Sequence, residues 1–234
     1  MASEHEIKSE KILVKDIFSN LWFCIPEYQR PYIWGRDEID DLLDDLRFAH
    51  AEKPEQEYFL GSFVFQNRKR SAEQEFDEND LLDGQQRMTT LLMLFACIRD
   101  LSSDDEVKNA CNDAVFQKGS SIKRIPERTR IKFAIRETVE TFVETFIKPA
   151  GGTQKVEELK QLSRKAEDRS VRNMAAAVLQ MRELLGEQNE DGTADLALDS
   201  FVGFVLNQVL MIFVATEDLD DAFRLFTILN DRGV

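Results

Sequence analysis

Histidine is nearly missing from this sequence: the chain has two, His5 and His50. That scarcity excludes a histidine-rich metal centre and argues against a Ser-His-Asp or Cys-His catalytic arrangement. Cysteine is scarce too, with Cys24, Cys97 and Cys111 odd in number, widely spaced and never in a C-x-x-C pair. Their apolar surroundings predict buried free thiols in a reducing compartment. No apolar run approaches the ~20 residues that span a bilayer, and the acidic N-terminus is no signal peptide, so a cytoplasmic protein is expected. Positive charge is in deficit, 30 Lys and Arg against 44 Asp and Glu for a net charge of −14. The surface as a whole therefore does not attract nucleic acid, and any DNA contact needs a local basic patch or another part of a longer protein.

What is present fits a soluble globular fold: 234 residues, 43% hydrophobic and 32% charged, enough chain to bury a proper core. Ile12 to Phe18 suggest a short strand or helix at the entry. The two prolines of Ile25–Trp34 forbid a helix interior there and predict an ordered extended segment. Ile39, Leu42, Leu43 and Leu46 recur at helical spacing, with Asp40, Asp41, Asp44 and Asp45 on the opposite, solvated face. Residues 57–66 read as a strand with Gly61 inside it, and 67–79 as a charged hairpin excursion. Leu81-Leu82 is a short strand running into Asp83-Gly84, and 85–101, apolar all round, is a buried helix.

Beyond it the pattern predicts helices over 105–117, 139–147, 154–185, 194–207 and 220–229, with strands over 130–134 and 209–216. This is an α+β composition. A mixed part (1–103) and a mainly helical part (104–208) are followed by a strand and helix (209–234) that return to the first part. The chain stops just after a well-formed motif, which suggests a fragment of a longer protein.

The densest chemistry lies at Asp83-Gly84-Gln85-Gln86-Arg87. A strand that ends in Asp-Gly and opens a buried helix leaves backbone N–H groups free at a helix N-terminus, where the dipole favours phosphate. Gly84 permits the tight turn and a close ligand. Arg87 can form paired hydrogen bonds to phosphate oxygens, Gln85 or Gln86 can orient an attacking water, and Asp83 can hold Mg²⁺ or accept a proton. The same residues admit a second reading. Asp83 and Gln86 have the spacing of an Asp-x-x-Gln capping box, which stabilises a helix without any ligand.

Tyr28, Gln29, Arg30, Tyr32 and Trp34 alternate aromatic and hydrogen-bonding groups on extended backbone. That pattern suits either stacking on a base with a grip on phosphate or sugar, or an aromatic wedge packed on the sheet. Five of the ten residues 123–132 are basic. Lys123, Arg124, Arg128 and Arg130 are the candidates for nucleic-acid contact, unless they neutralise nearby acidic helices. Asn230, Asp231 and Arg232 close the last helix, either as a simple cap and turn or as further nucleotide contacts.

Four motifs in register, IPEYQRPYIW (25–34), YFLGSFVF (58–65), DGQQRMTTL (83–91) and AFRLFTILNDRG (222–233), resemble the N-terminal domain family of GmrSD-type restriction endonucleases. That family resembles the ParB/sulfiredoxin-like fold, in which a Gly-x-x-Arg turn at a helix start binds nucleotide phosphates; here the turn is Gly84-Gln85-Gln86-Arg87. The resemblance implies NTP binding and hydrolysis with Mg²⁺ in defence against phage whose DNA carries modified bases. Asp83, Gln85, Gln86 and Arg87 would be catalytic, with Asp83 as the metal ligand. Tyr28, Gln29, Arg30, Tyr32, Gly84, Thr89, Asn230 and Arg232 would bind the nucleotide.

The ParB-type turn carries a glutamate and a first arginine where this chain has Gln85 and Gln86, which leaves nucleotide preference open. The resemblance also implies partners: a nucleoside triphosphate, modified DNA through the basic patch, and an HNH nuclease domain in cis or in trans. No membrane is expected, and a homo-oligomer is compatible with the sequence. This chain lacks an HNH arrangement and should not cut DNA by that route. The competing function is a non-enzymatic module that binds modified DNA and uses DGQQR only as a helix cap. A direct nuclease ranks last, for want of a metal cluster.

Overall fold

The computed structural model describes residues 7–68, 78–122, 127–134, 137–187 and 196–216. Strand β1 (Lys8–Leu13) runs directly into α1 (Val14–Asn20), and β2 (Phe23–Ile25) follows. The extended segment after β2 leads to α2 (Arg36–Glu52). Its predicted stripe Ile39, Leu42, Leu43 and Leu46 is buried, while Asp41, Asp44 and Asp45 face outward. Strands β3 (Tyr58–Arg68) and β4 (Glu78–Asp83) form an antiparallel pair, and α3 (Gln85–Leu101) leaves β4 through Gly84. From Met88 to Ile98 every α3 residue is buried, so this helix is the axis of the core.

Next come α4 (Asp105–Val115), the short strands β5 (Phe116–Gln117), β6 (Arg128–Thr129) and β7 (Ile131–Phe133), and α5 (Glu137–Phe142). The Val139–Ile147 stripe does form one buried face, but its second half is a π-helical turn, Val143–Ile147, closed by Lys148 N to Val143 O at 2.9 Å. The single long helix expected over 154–185 is two: α6 (Val156–Lys165) and α7 (Arg169–Leu185). Asp168 makes the break. Its Oδ1 accepts from Ser170 N at 2.7 Å and Val171 N at 3.3 Å, starting a new helix. Helix α8 (Leu198–Asn207) precedes β8 (Val209–Thr216), which covers the span predicted for that strand.

The main sheet has six strands in the order β1-β8-β3-β4-β2-β7. Strand β8 lies parallel to β3 and antiparallel to β1, and β2 is parallel to both β4 and β7. The chain is thus α+β, as its sequence pattern predicts. Cys24, Cys97 and Cys111 are free and buried. Burial pushes the Cys97 and Cys111 thiols up to about 12, which suits inert core residues. Among the described residues no helix is long and apolar enough to cross a membrane. The expected helix over 220–229, with Asn230 and Arg232, lies outside the described residues, as do Lys123 and Arg124 and most of the 67–79 hairpin.

Candidate functional site

Strand β4 ends at Asp83, and the chain reverses into α3 on one left-handed residue, Gly84, with φ 83°. A side chain is excluded there on two counts. The backbone angle disfavours one, and a Cβ would sit 2.7 Å from that of Phe63 on the neighbouring strand. The first helical hydrogen bond is Met88 N to Gly84 O at 3.0 Å, and the N-cap residue, Gly84, has no side chain with which to cap the helix. The amides of Gln85, Gln86 and Arg87 therefore stand ahead of the helical ladder with the positive end of the dipole behind them.

The capping box does not form, because Gln86 turns elsewhere. Its Oε1 accepts from Ile33 N at 2.8 Å and Trp34 N at 3.3 Å, and its Nε2 donates to Pro31 O at 3.0 Å. Gln29 Nε2 reaches across to Leu82 O at 3.0 Å. Tyr32 is pinned from α7 as well, its N–H donating to Ser170 Oγ and its carbonyl accepting from Asn173 Nδ2. These bonds hold the Pro-rich segment extended against the start of α3.

Tyr32 itself is buried. The Thr90 hydroxyl donates to Gln86 O at 2.9 Å, so Tyr32, 2.7 Å from Thr90 Oγ1, supplies the proton of that pair. Burial raises its phenol well above the ordinary range, which keeps it neutral. Tyr32 is thus a wedge in the core, and so is Thr89 at 1% exposure. Tyr28 is exposed but does not line the cleft described next.

An open cleft of about 450 Å³ is lined by Arg30, Trp34, Phe59, Gly61, Ser62, Asp83, Gly84, Gln85, Gln86 and Arg87. The Arg87 guanidinium lies directly over Gly61, where a Cβ would come within 2.8 Å of Nη1 and 3.0 Å of Cζ. Gly61 sits beside an irregularity in the pairing of β3 with β8, between Phe59 and Gly61, and has φ 134°. The bare backbone leaves the room that the guanidinium occupies.

Burial pulls the Arg87 guanidinium below its ordinary value, with the charges of Asp83 and Tyr58 working against the shift. Among the described residues Arg87 has no hydrogen bond and no ion pair, and neither has the exposed Arg30. Gln85 is 6% exposed, lines the cleft, and its carboxamide likewise has no partner among the described residues. Two guanidinium groups, three backbone amides and one carboxamide, none of them hydrogen-bonded among the described residues, thus line one opening. Asp83, half-buried, is the one carboxylate lining the cleft among the described residues.

Of the basic segment's candidates, Arg128 and Arg130 lie within the described residues, and neither is exposed. Arg130 is 6% exposed, with Nε donating to Asp113 O at 3.1 Å, Nη1 to Ser19 O at 2.9 Å, and its guanidinium 5.1 Å from the centre of the Trp22 ring. Burial lowers it to about 10, Asp113 opposing and Arg128 adding to the shift. Arg128, half-buried, is engaged within the fold too.

A larger cleft of about 900 Å³ lies over Arg99, Lys108, Asn112 and Lys148. Its basic groups are mostly satisfied internally: Lys148 by Glu127 and Glu144, Lys108 by Asp105, and Arg99 by Asp100 and backbone carbonyls. Residue chemistry therefore favours the smaller opening. Phe59, Gly61 and Ser62 are its contributors that the sequence did not reveal, although a glycine inside a strand was a signal of close approach.

Residues 11–234 match the model of the family described as GmrSD restriction endonuclease, N-terminal domain. No curated protein matches the chain. With the family model covering nearly its whole length, the chain belongs to the GmrSD restriction endonuclease N-terminal domain family and is a component of a restriction system.

Proposed function

We propose that this domain binds a nucleoside triphosphate at Gly84–Arg87 and hydrolyses it, acting as the regulatory sensor of a restriction system directed at phage DNA with modified bases. DNA cleavage would belong to an HNH nuclease domain, in cis or in trans. The single observation that carries this reading is Arg87, a half-buried guanidinium without an ion pair among the described residues, laid over Gly61 beside the open amides of α3. A desolvated cation left unpaired in the folded protein is stabilised by an incoming anion.

Roles for the chain's own groups follow from their freedom. The Gln85, Gln86 and Arg87 amides and the Arg87 and Arg30 guanidinium groups hold phosphate oxygens. The Gln85 carboxamide orients water for attack on the terminal phosphorus, while the Gln86 side chain is committed to the segment 31–34. Asp83 takes the water's proton or a metal-bound position. Asp83 beside the phosphate-binding amides fits Mg²⁺ carried in with the nucleotide. Among the described residues no group of three or more His, Cys, Asp or Glu side chains could hold an ion, and Mg²⁺ commonly binds through one or two carboxylates with substrate phosphates. When bound, Mg²⁺ would neutralise charge developing on the phosphates.

Titration calorimetry with ATP, GTP, CTP and UTP in the presence of Mg²⁺, together with phosphate-release assays, tests the reading. The Arg87→Ala variant is expected to lose roughly 1.5–3 kcal/mol of nucleotide affinity, about ten- to a hundred-fold. Unaltered affinity and turnover in that variant would move the site elsewhere.

A further inference from the structure

Phe59 is an anomaly on its strand. It is 54% exposed and lies outside the hydrophobic clusters of the core. It makes no ring contact among the described residues. Yet it lines the same opening as Arg87, Arg30 and Gln85. Trp34, half-buried and packed against the core on one side, lines that opening too and is also without a ring partner among the described residues. Of the three aromatic groups in the Pro-rich segment, only Trp34 lines the cleft: Tyr32 is buried with its hydroxyl on Thr90, and the exposed Tyr28 is not among the lining residues.

We infer that Phe59, on the same opening as Trp34, is the platform on which the base of the nucleotide stacks. This rests on the phosphate site proposed at Gly84–Arg87 and adds what the rest of the ligand does. The polar lining, Asp83, Gln85, Arg87, Arg30 and Ser62, is the part suited to phosphate and sugar. The aromatic lining offers a flat apolar face. A phenylalanine ring carries no donor or acceptor and reads no Watson–Crick edge, so it takes any base by its π-face. The ligand class is accordingly a nucleoside triphosphate with weak base discrimination, purines favoured only by their larger stacking area.

Binding of three probes to the full chain separates this inference from the reading beneath it: ATP, UTP and inorganic tripolyphosphate, each with Mg²⁺, measured by calorimetry. The expected pattern for Phe59→Ala is a roughly ten-fold loss of affinity for ATP and UTP with tripolyphosphate unchanged. Phe59→Trp should hold or tighten both nucleotides, while Arg87→Ala weakens all three probes. Because Phe59 is exposed, its variants should keep the parent melting temperature, which checks that the fold is intact. Wild-type nucleotide binding that Phe59→Ala leaves unchanged overturns the platform and spares the phosphate site. A wild-type chain that binds neither nucleotides nor tripolyphosphate overturns both.

Discussion

Gln85 and Gln86 are chemically identical neighbours with opposite circumstances. Gln86 ties three backbone groups of the segment 31–34 to α3, whereas the Gln85 carboxamide has no partner among the described residues and lines the cleft. Truncating Gln86 leaves the amides of Ile33 and Trp34 and the carbonyl of Pro31 without their partner in a largely water-poor place. The expected cost of Gln86→Ala is about 1–3 kcal/mol of stability. Gln85→Ala removes no hydrogen bond among the described residues and should cost less stability than Gln86→Ala, while lowering nucleotide turnover. Chemical denaturation of both variants, paired with phosphate-release rates, checks the contrast. Equal destabilisation by the two would show that their roles are not divided in this way.

At the scale of elements, α3 has a chemical task at each end. Its seventeen residues span about 25 Å, from the cleft at Gly84–Arg87 to a buried Arg99–Asp100 pair joined at 2.9 Å. Arg99 also donates to the carbonyls of Ile147, Lys148 and Pro149, gathering the end of the π-helical turn. Asp100 accepts from the amides of Gly151 and Thr153 and from the Thr153 hydroxyl. A network with every member bonded fixes the 147–154 turn onto α3.

Burial works to raise the Asp100 carboxyl, but the Arg99 hydrogen bond, the Gly151 amide, the Arg99 charge and Thr153 outweigh it, so it lies below its ordinary value. A carboxyl depressed on folding stabilises the native state above its unfolded value, ~3.9. That contribution falls away as pH drops through the lower folded value. Asp100→Asn leaves the Arg99 charge buried without its counter-ion and should cost roughly 3–5 kcal/mol near neutral pH. The gap between wild type and variant should narrow in acid below pH ~4. Urea unfolding across that range measures it, and a gap independent of pH would rule out the ionised pair as its source.

The contrast between α3 and its partners shows what a sequence carries. Its limits, 85–101, were legible because it is apolar all round and starts at an Asp-Gly turn. The Arg99–Asp100 network was not, because a charged dipeptide at a helix end reads as solvated, and its partners lie some fifty residues later. The same distance hid the Gln86 clamp on 31–34, which replaced the expected capping box. No glycine or proline marks the break between α6 and α7, so the sequence there reads as one continuous helix. Asp168 looks like any polar residue until its carboxylate is seen on two amides. In the candidate site the turn itself was visible, but its far wall was not, since Phe59, Gly61 and Ser62 sit in a stretch patterned as a core strand.

For the whole molecule, the order of strands decides what can fold alone. Strand β8, from the last part of the described chain, lies between β1 and β3, pairing from Tyr58 to Gln66 on one side and from Lys8 to Leu13 on the other. Phe213 of β8 packs against Phe63 and Phe65 at ring separations of 6.2 and 5.5 Å. Strand β7 continues the sheet beyond β2, and α7 supplies Ser170 and Asn173 to Tyr32. A polypeptide of residues 1–103 would contain DGQQR yet lack all of these. Strand β1 would have no neighbour, β3 would present a long apolar edge, and the segment facing Gln86 would lose its second anchor. Such exposed edges and unfilled cores favour aggregation over folding. That fragment should therefore show no cooperative thermal transition by circular dichroism and no nucleotide affinity, whereas the full chain melts cooperatively. If the fragment alone unfolds cooperatively and binds ATP, the site depends only on β3, β4 and α3, and the later strands are an addition to a self-sufficient unit.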